Sequence, residues 1–334
     1  MSTIQDVARC ANVGAATVSR VLSGNGYVKD ETRRKVEEAI RELNYTPNEM
    51  ARNLYYQKSR IVAIIVPEVS HPFFAEFVSA AEAALSQKGY QTMICNTYYE
   101  QSFELRYLEM LKQQRVDGII FGGHTLDATN FENIQRPIVA LDRDIGSHIP
   151  CVSADHREGG RLAAQELIAA GCRNVIQFGS GNNVGDYHLM TPSNQRHLVF
   201  EEVMRESGVK CYSCVMKWND LRSSYFRDLS RELFEQFPDL DGAFGTDLPI
   251  IALRQVLYEH GRRVPEDVKL IGYDGTSVMG LISPSITYVA QPIAQLAQET
   301  VRLVVERIEG RALTQEEMKT TQPVTLVKGD STRV

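Results

Sequence analysis

The 334-residue sequence lacks several features that would fix its class at once. It has no run of about 18 apolar residues, so no membrane-crossing helix is expected. Asp6 and Arg9 interrupt the place where an apolar leader core would lie, and the protein is expected in the cytosol. It has one Trp and only six Cys: Cys10, Cys95, Cys151, Cys172, Cys211 and Cys214. In a reducing compartment such cysteines act mostly as small buried apolar groups. Cys211 and Cys214 have the spacing of half a zinc site or a redox pair. No second Cys/His pair matches them, and "VKCYSCVMKW" reads as a strand. No metal and no cofactor is expected. No Ser-His-Asp or His-Glu-x-x-His pattern gives His71, His124, His156 or His188 a catalytic role. "GSGNNVG" at 179–185 follows a strand but lacks both the G-x-G-x-x-G spacing and the helix start of a phosphate loop.

What is present is ordinary in bulk and uneven in distribution. Apolar residues make up 43% and charged residues 23%, enough to bury a large core. The length suits two or three compact units of roughly 100–200 residues. Residues 1–60 hold 10 Lys+Arg against 7 Asp+Glu, although the whole chain carries a net charge of −6. A mildly basic head on an acidic body fits a head that approaches a polyanion.

Three short helical patterns make up that head. In "TIQDVARCANV", Thr3 can cap a helix whose Ile4, Val7, Ala8 and Ala11 fall at i, i+3, i+4 and i+7. Asn12 and Gly14 supply a turn. "AATVSRVL" then forms a helix with Val18, Val21 and Leu22 inward. "DETRRKVEEAIREL", with Asp30 as its cap, buries Val36, Ala39, Ile40 and Leu43. Two short helices joined by a tight turn and braced by a third make a helix-turn-helix. The second helix of such a motif enters a major groove with its N-terminal residues at the base edges. Its outer face carries two small residues, Ala15 and Ala16, two hydroxyls, Thr17 and Ser19, and Arg20. The hydroxyls suit phosphates and the arginine suits a guanine edge. A three-helix protein-binding head with a solvated Arg20 is the alternative on these residues alone.

The next segment, "YTPNEMARNLYYQKSR", holds about two helical turns, too few to be stable alone. Here "TIQDVARCANVGAATVSRVLSGNG" and "ETRRKVEEAIRELNYTPNEMARNL" resemble the DNA-binding head and hinge of the lactose-repressor (LacI/GalR) family of bacterial transcription regulators. The resemblance runs through residues 2–56. It implies a hinge helix over 47–56 that folds when two subunits sit side by side on an operator, with Leu54 wedged into the minor groove. The DNA-facing set is then Thr3, Ala15, Ala16, Thr17, Ser19, Arg20, Asn25, Tyr45, Asn48, Arg52, Leu54 and Tyr55. Ala15 and Ala16 stand where the family often has larger base-reading side chains.

Beyond residue 60, strand and helix signals alternate. Strands are expected at 60–67, 90–97, 117–123, 137–143, 174–180, 210–217, 242–247 and 268–275. Amphipathic helices are expected at 73–88, 102–115, 157–170, 222–236 and 249–260. This order predicts parallel sheets covered on both faces, two sheets rather than one. Ligands of such folds bind at the carboxyl ends of strands. Those ends carry "LDRD", "ADHREGG", Trp218, Asp247, Asp274 and Gln291. Carboxylates, an amide and one Trp around an apolar cleft suit a polyhydroxylated ligand. Capping of the following helix is the plainer role for any single Asp among them.

The resemblance extends over this body, which is similar to the family's effector-binding core and to periplasmic sugar-binding proteins. It implies an all-α helix-turn-helix head (1–46), a hinge helix and linker (47–60) and a periplasmic-binding-protein-like α/β core of two doubly wound subdomains (61–334). The N-subdomain would hold about 61–156 and 291–321, the C-subdomain about 157–290 and 322–334, with crossings near 156–158, 289–292 and 320–323. It implies an effector set of Ser70, Phe73, Phe74, Asp142, His156, Arg196, Trp218, Asp247, Asp274 and Gln291. It also implies a dimer face along 70–85 and 277–284. His156 replaces the family's usual Asn, and "RHLVF" replaces "R-x-x-G-F". The implied function is a repressor, not an enzyme: a homodimer on a near-palindromic double-stranded operator, governed by a sugar or sugar phosphate. Whether the ligand induces or corepresses, and whether a phosphorylated partner protein takes part, stays open. A transport-type binding protein would lack the head.

Overall fold

A computed structural model describes residues 2–23, 26–46, 58–179, 192–217 and 219–333. The chain divides into two compact units, Met1–Ser59 and Arg60–Val334.

The head unit contains α1 (Ile4–Cys10), α2 (Ala15–Ser23) and α3 (Asp30–Glu42). Thr3 caps α1 in a capping box. Its Oγ1 accepts from the Asp6 amide at 3.3 Å, and its own amide donates to Asp6 Oδ2 at 2.9 Å. Asn12 takes a left-handed φ of 53° in the turn that follows, a conformation its short amide tolerates. Val7, Ala8, Val18, Val21, Val28, Val36 and Ala39 close the small core. One expectation needs correcting: Lys29, not Asp30, is the cap residue of α3, and it makes no side-chain cap bond. Asp30 is instead the first helical residue, where its charge still favours the positive end of the helix.

The core unit is built from two sheets, each of six strands among the described residues. The first has the order β11-β5-β4-β3-β1-β2, with β1 (Ile61–Val66), β2 (Gln91–Asn96), β3 (Gly118–Phe121), β4 (Ile138–Leu141), β5 (Cys151–Ala154) and β11 (Lys319–Gln322). The second has the order β12-β10-β9-β8-β6-β7, with β6 (Asn174–Phe178), β7 (Lys210–Cys214), β8 (Gly242–Phe244), β9 (Lys269–Asp274), β10 (Thr287–Ala290) and β12 (Thr325–Val327). The pairings are parallel apart from β10 with β12. The central strand β1, "IVAIIV", is buried from Val62 to Val66, as a β-branched run covered on both faces must be.

Helices α4 (Pro72–Gln87), α5 (Gln101–Lys112) and α10 (Ile293–Ile308) clothe the first sheet. Helices α6 (His156–Ala169), α7 (Gln195–Glu206), α8 (Ser223–Gln236) and α9 (Asp247–Glu259) clothe the second. The chain passes between the sheets three times, between Ala154 and His156, Ala290 and Ile293, and Gln322 and Thr325. Cys211 and Cys214 both lie on β7 and pack into different apolar clusters, so the pair is a strand feature. Burial pushes their thiols up, to about 12 and about 11. Among the described residues no group of three His, Cys, Asp or Glu could hold a metal ion, and no helix is long and apolar enough to cross a membrane.

Candidate functional site

On the head, α2 turns Val18 and Val21 inward and leaves Ala15, Ala16 and Arg20 exposed, with Thr17 and Ser19 half-buried. Ala15 and Ala16 put only methyl groups on this face's N-terminal turn, so another surface could approach its backbone closely. Thr3 is occupied locally, since its hydroxyl also donates to Asp6 Oδ2 at 2.7 Å. Tyr45 lies half-buried against the head core. Asn25, Asn48, Arg52, Leu54 and Tyr55 fall outside the described residues.

In the core, the carboxyl ends of both sheets open on one cavity of about 250 Å³. The first sheet contributes His71, Phe73 and Phe74 from the turn into α4, Tyr99 after β2, His124 after β3 and Asp142 after β4. The second contributes Phe178 and Gly179, Arg196 and His197 from α7, Val215 to Lys217 after β7, Thr246, Asp274 and Gln291. Seven residues expected at a ligand site therefore meet here: Phe73, Phe74, Asp142, His156, Arg196, Asp274 and Gln291. Trp218, His188 and most of the "GSGNNVG" loop lie outside the described residues.

Ser70 does not reach the cavity; its hydroxyl bonds to Glu68 Oε1 at 2.5 Å. Asp247 does not reach it either. The helix expected at 249–260 begins two residues earlier, and Asp247 becomes its first residue, 1% exposed. Its carboxylate accepts from the Thr276 amide at 2.8 Å, the Thr276 hydroxyl at 2.6 Å and the Gly275 amide at 3.3 Å. Thr246, its neighbour, is the residue that lines the wall.

The polar groups form two linked sets. His156 Nε2 lies 2.9 Å from Asp142 Oδ1, and its Nδ1 lies 2.9 Å from the Tyr273 hydroxyl. Asp142 ends a strand of the first sheet and Tyr273 belongs to the second, so His156 spans the two where the chain first crosses. Arg196 Nη1 stands 3.9 Å from Asp274 Oδ1, and its guanidinium lies 4.5 Å over the Tyr273 ring. Gln291 Nε2 donates to Asp274 Oδ1 at 2.7 Å. Asp142 and Asp274 both have left-handed backbones, φ 51° and 96°. Strain of this kind, at the two carboxylates that face one cavity, is held by the surrounding sheets and fixes where those groups point.

Burial shapes the charges. It pushes the Asp247 carboxyl up to about 7, with the negative charge of Asp274 adding to the effect. It raises Asp274 too, against the pull of Arg196. Burial holds His71 and His197 below their ordinary value and pushes His124 down to about 3.

Asp247 makes the stability of the core depend on pH. Its folded value, about 7, lies above the ordinary 3.8. The stabilisation from the buried neutral acid is therefore full below about pH 4 and is lost as pH rises toward 7. Asp247→Asn cannot titrate. Its unfolding free energy relative to wild type should rise between about pH 4 and pH 7 and then level off. Urea unfolding of both proteins across that window measures it; a difference that ignores pH would put the proton elsewhere.

The sequence reading missed His71, Tyr99, His124 and His197 as cavity residues, along with Phe178 and Phe226. Tyr98 and Tyr99 both have left-handed backbones, φ 50° and 61°. No local pattern in "NTYYEQ" announces that Tyr99 faces inward.

Comparison with known proteins yields consistent matches. Residues 3–48 match the family described as bacterial regulatory proteins, lacI family, and residues 164–332 match the periplasmic binding protein-like domain. The chain is 36% identical over 314 residues to the ribose operon repressor of Halalkalibacterium halodurans, covering 94% of this chain and 92% of that one. It is 35% identical to the sucrose operon repressor of Pediococcus pentosaceus, over 98% of each. Its fold is similar to that of the transcriptional regulator CelR in complex with cellobiose, with a TM-score of 0.70, 28% identity, and 99% and 100% of the two chains covered.

Proposed function

Because this chain belongs to the lacI family of bacterial regulatory proteins, we propose that it represses a sugar-utilisation operon in the cytoplasm and that a small sugar in the core cavity controls its hold on DNA. The observation that carries this is the joining, in one chain, of a head with an exposed α2 face to a core whose strand ends converge on a polar, aromatic-walled cavity.

In this reading a homodimer sets two heads on the half-sites of a near-palindromic operator. Ala15 and Ala16 allow close approach, Thr17 and Ser19 meet phosphates, and Arg20 reads a guanine. Residues 47–56 form the hinge helix and Leu54 the minor-groove wedge, with Asn25, Tyr45, Asn48, Arg52 and Tyr55 around them. Residues 61–156 with 291–321 and residues 157–290 with 322–334 act as the two subdomains. The ligand's hydroxyls engage Asp142, Arg196, Asp274 and Gln291, while Phe74 and Trp218 offer aromatic faces to its C–H side. Asp247 supports Asp274 and the 275–276 loop from behind. Filling the cavity changes the subdomain pose, and hinge folding then couples ligand to operator by about 1–3 kcal/mol.

Fluorescence anisotropy of a labelled palindromic duplex, titrated with full-length protein and with sugars, tests the reading. Weaker operator binding on adding a sugar is the expected result, and tighter binding would make the ligand a corepressor. No effect from any sugar would sink it. Arg20→Ala should cost about 1–3 kcal/mol at the operator and relax preference at one base pair in each half-site. An equal loss on all sequences would confine Arg20 to phosphate contact.

A further inference from the structure

We propose that the cavity selects an uncharged, hydroxyl-bearing sugar and rejects the phosphorylated form of the same sugar. The proposal rests on the cavity being the sugar site and goes further by naming the ligand's charge state. Three observations carry it.

The first is the balance of buried charge. Among the described lining residues, Arg196 is the largely buried cation. It faces Asp274 at 3.9 Å, donates its Nε–H to His197 Nε2 at 3.3 Å and stacks on Tyr273. Asp142 lines the cavity from the first sheet's side, bonded to His156, and Asp247 bonds the Gly275 amide next to Asp274. Asp274 thus already answers the one guanidinium, and Asp142 adds a second carboxylate to the cavity lining. Lys217 is exposed, at the rim. A phosphate of nearly two negative charges would lose its water here and meet like charge.

The second is the state of the imidazoles. His71 Nδ1 accepts from the Phe73 amide at 3.3 Å, so the ring carries its proton on Nε2. His197 Nδ1 lies 3.0 Å from Gln177 Oε1. The Gln177 amide nitrogen donates to Ser213 Oγ at 2.9 Å and to Glu201 Oε1, which identifies Oε1 as an acceptor and Nδ1–H of His197 as the donor. His197 Nε2 is then bare, as its bond from Arg196 requires. Each ring holds one proton, and burial keeps both neutral. They orient hydroxyls without supplying the positive charge a phosphate needs.

The third is an acceptor awaiting a donor. Gln291 is 8% exposed and lines the cavity, yet its Oε1 has no hydrogen-bond partner among the described residues. Its Nε2 is fixed on Asp274, so the amide cannot turn to relieve the carbonyl. A buried orphan acceptor is costly unless something donates to it. A sugar hydroxyl donates, whereas a phosphate dianion set against this carbonyl would bring only acceptors.

Isothermal titration calorimetry on the full chain decides the matter, with matched pairs: D-ribose and D-ribose 5-phosphate, D-fructose and its 1- and 6-phosphates, D-glucose and D-glucose 6-phosphate. The free sugar that binds should do so at least tenfold more tightly than its phosphate. Gln291→Met should weaken that sugar at least tenfold with little change in the thermal midpoint. A phosphate that binds as tightly as its parent sugar, or a Gln291→Met protein of unchanged affinity, overturns the proposal and leaves a sugar-responsive regulator standing. A panel in which no member binds overturns both.

Discussion

Glu104→Ala should lower the unfolding free energy of the core by about 3–5 kcal/mol, the cost of leaving buried polar groups without their charged partner. Glu104 lies in the first turn of α5 with no exposed surface. Its Oε1 accepts from the amides of His124 at 2.9 Å and Thr125 at 3.1 Å, and its Oε2 accepts from Leu126 at 3.1 Å. Arg143, itself 2% exposed, grips the same loop from its carbonyl side, at Gly123 O (2.6 Å) and Leu126 O. Burial raises the carboxyl of Glu104, while the loop amides and Arg143 oppose that rise. Alanine would strand three buried amides and remove the larger of the two negative charges, Glu104 and Asp127, that compensate Arg143. The loop carries His124 into the cavity wall, so ligand affinity should fall with stability. Glu104→Gln should recover only part of the loss, because its amide NH₂ would face an N–H donor. Urea unfolding and calorimetry on both variants measure this; a loss below about 1 kcal/mol would mean that water replaces the carboxylate at no cost.

Gly160→Ala is the second large effect. A Cβ at Gly160 would stand 2.2 Å from the Arg196 carbonyl oxygen and 2.9 Å from its carbonyl carbon. The obstacle is backbone at the start of α7, so no side chain can swing aside. Alanine in a helix gains about 1 kcal/mol over glycine. Separating two packed helices costs about 1–3 kcal/mol or more, which should outweigh that gain. The displacement also carries Arg196 away from Asp274, so ligand affinity should drop at least tenfold. Gly280→Ala, where a Cβ meets nothing within 4 Å, is the control and should stay within about 0.5 kcal/mol of wild type. Equal melting curves for the two variants would refute the close-packing account.

How far these features were legible in the sequence depends on the range of the forces that set them. Apolar alternation along the chain announced eight strands, because each buries residues that flank one another in sequence. Of the other four, β5 and β10 entered only through their ends, "ADHREGG" and Gln291, and β11 and β12, "KTTQ" and "TLV", whose burial is only partial, did not enter at all. The last two exist because a sheet edge pairs with them. Strand-end Asp residues were visible as a class, yet their directions were not. Asp142 and Asp274 face the cavity through left-handed backbones, while Asp247 turns to the 275–276 loop because Thr246 takes the cap position of α9. Glu104 reads as an ordinary surface acid of an amphipathic helix. Only a loop arriving from about twenty residues away makes it a buried anchor.

The three passages between the sheets make the core a woven object rather than two beads in line. Helix α10 and strand β11 follow five of the second sheet's six strands in the chain yet belong to the first. A fragment cut to the boundaries of the binding-protein-like match, 164–332, would therefore carry α10 with Leu296, Val301, Leu303 and Val304 stripped of the strands they cover. Neither lobe can be excised as one contiguous piece. Each is finished only when the last forty or so residues of the chain have been laid down.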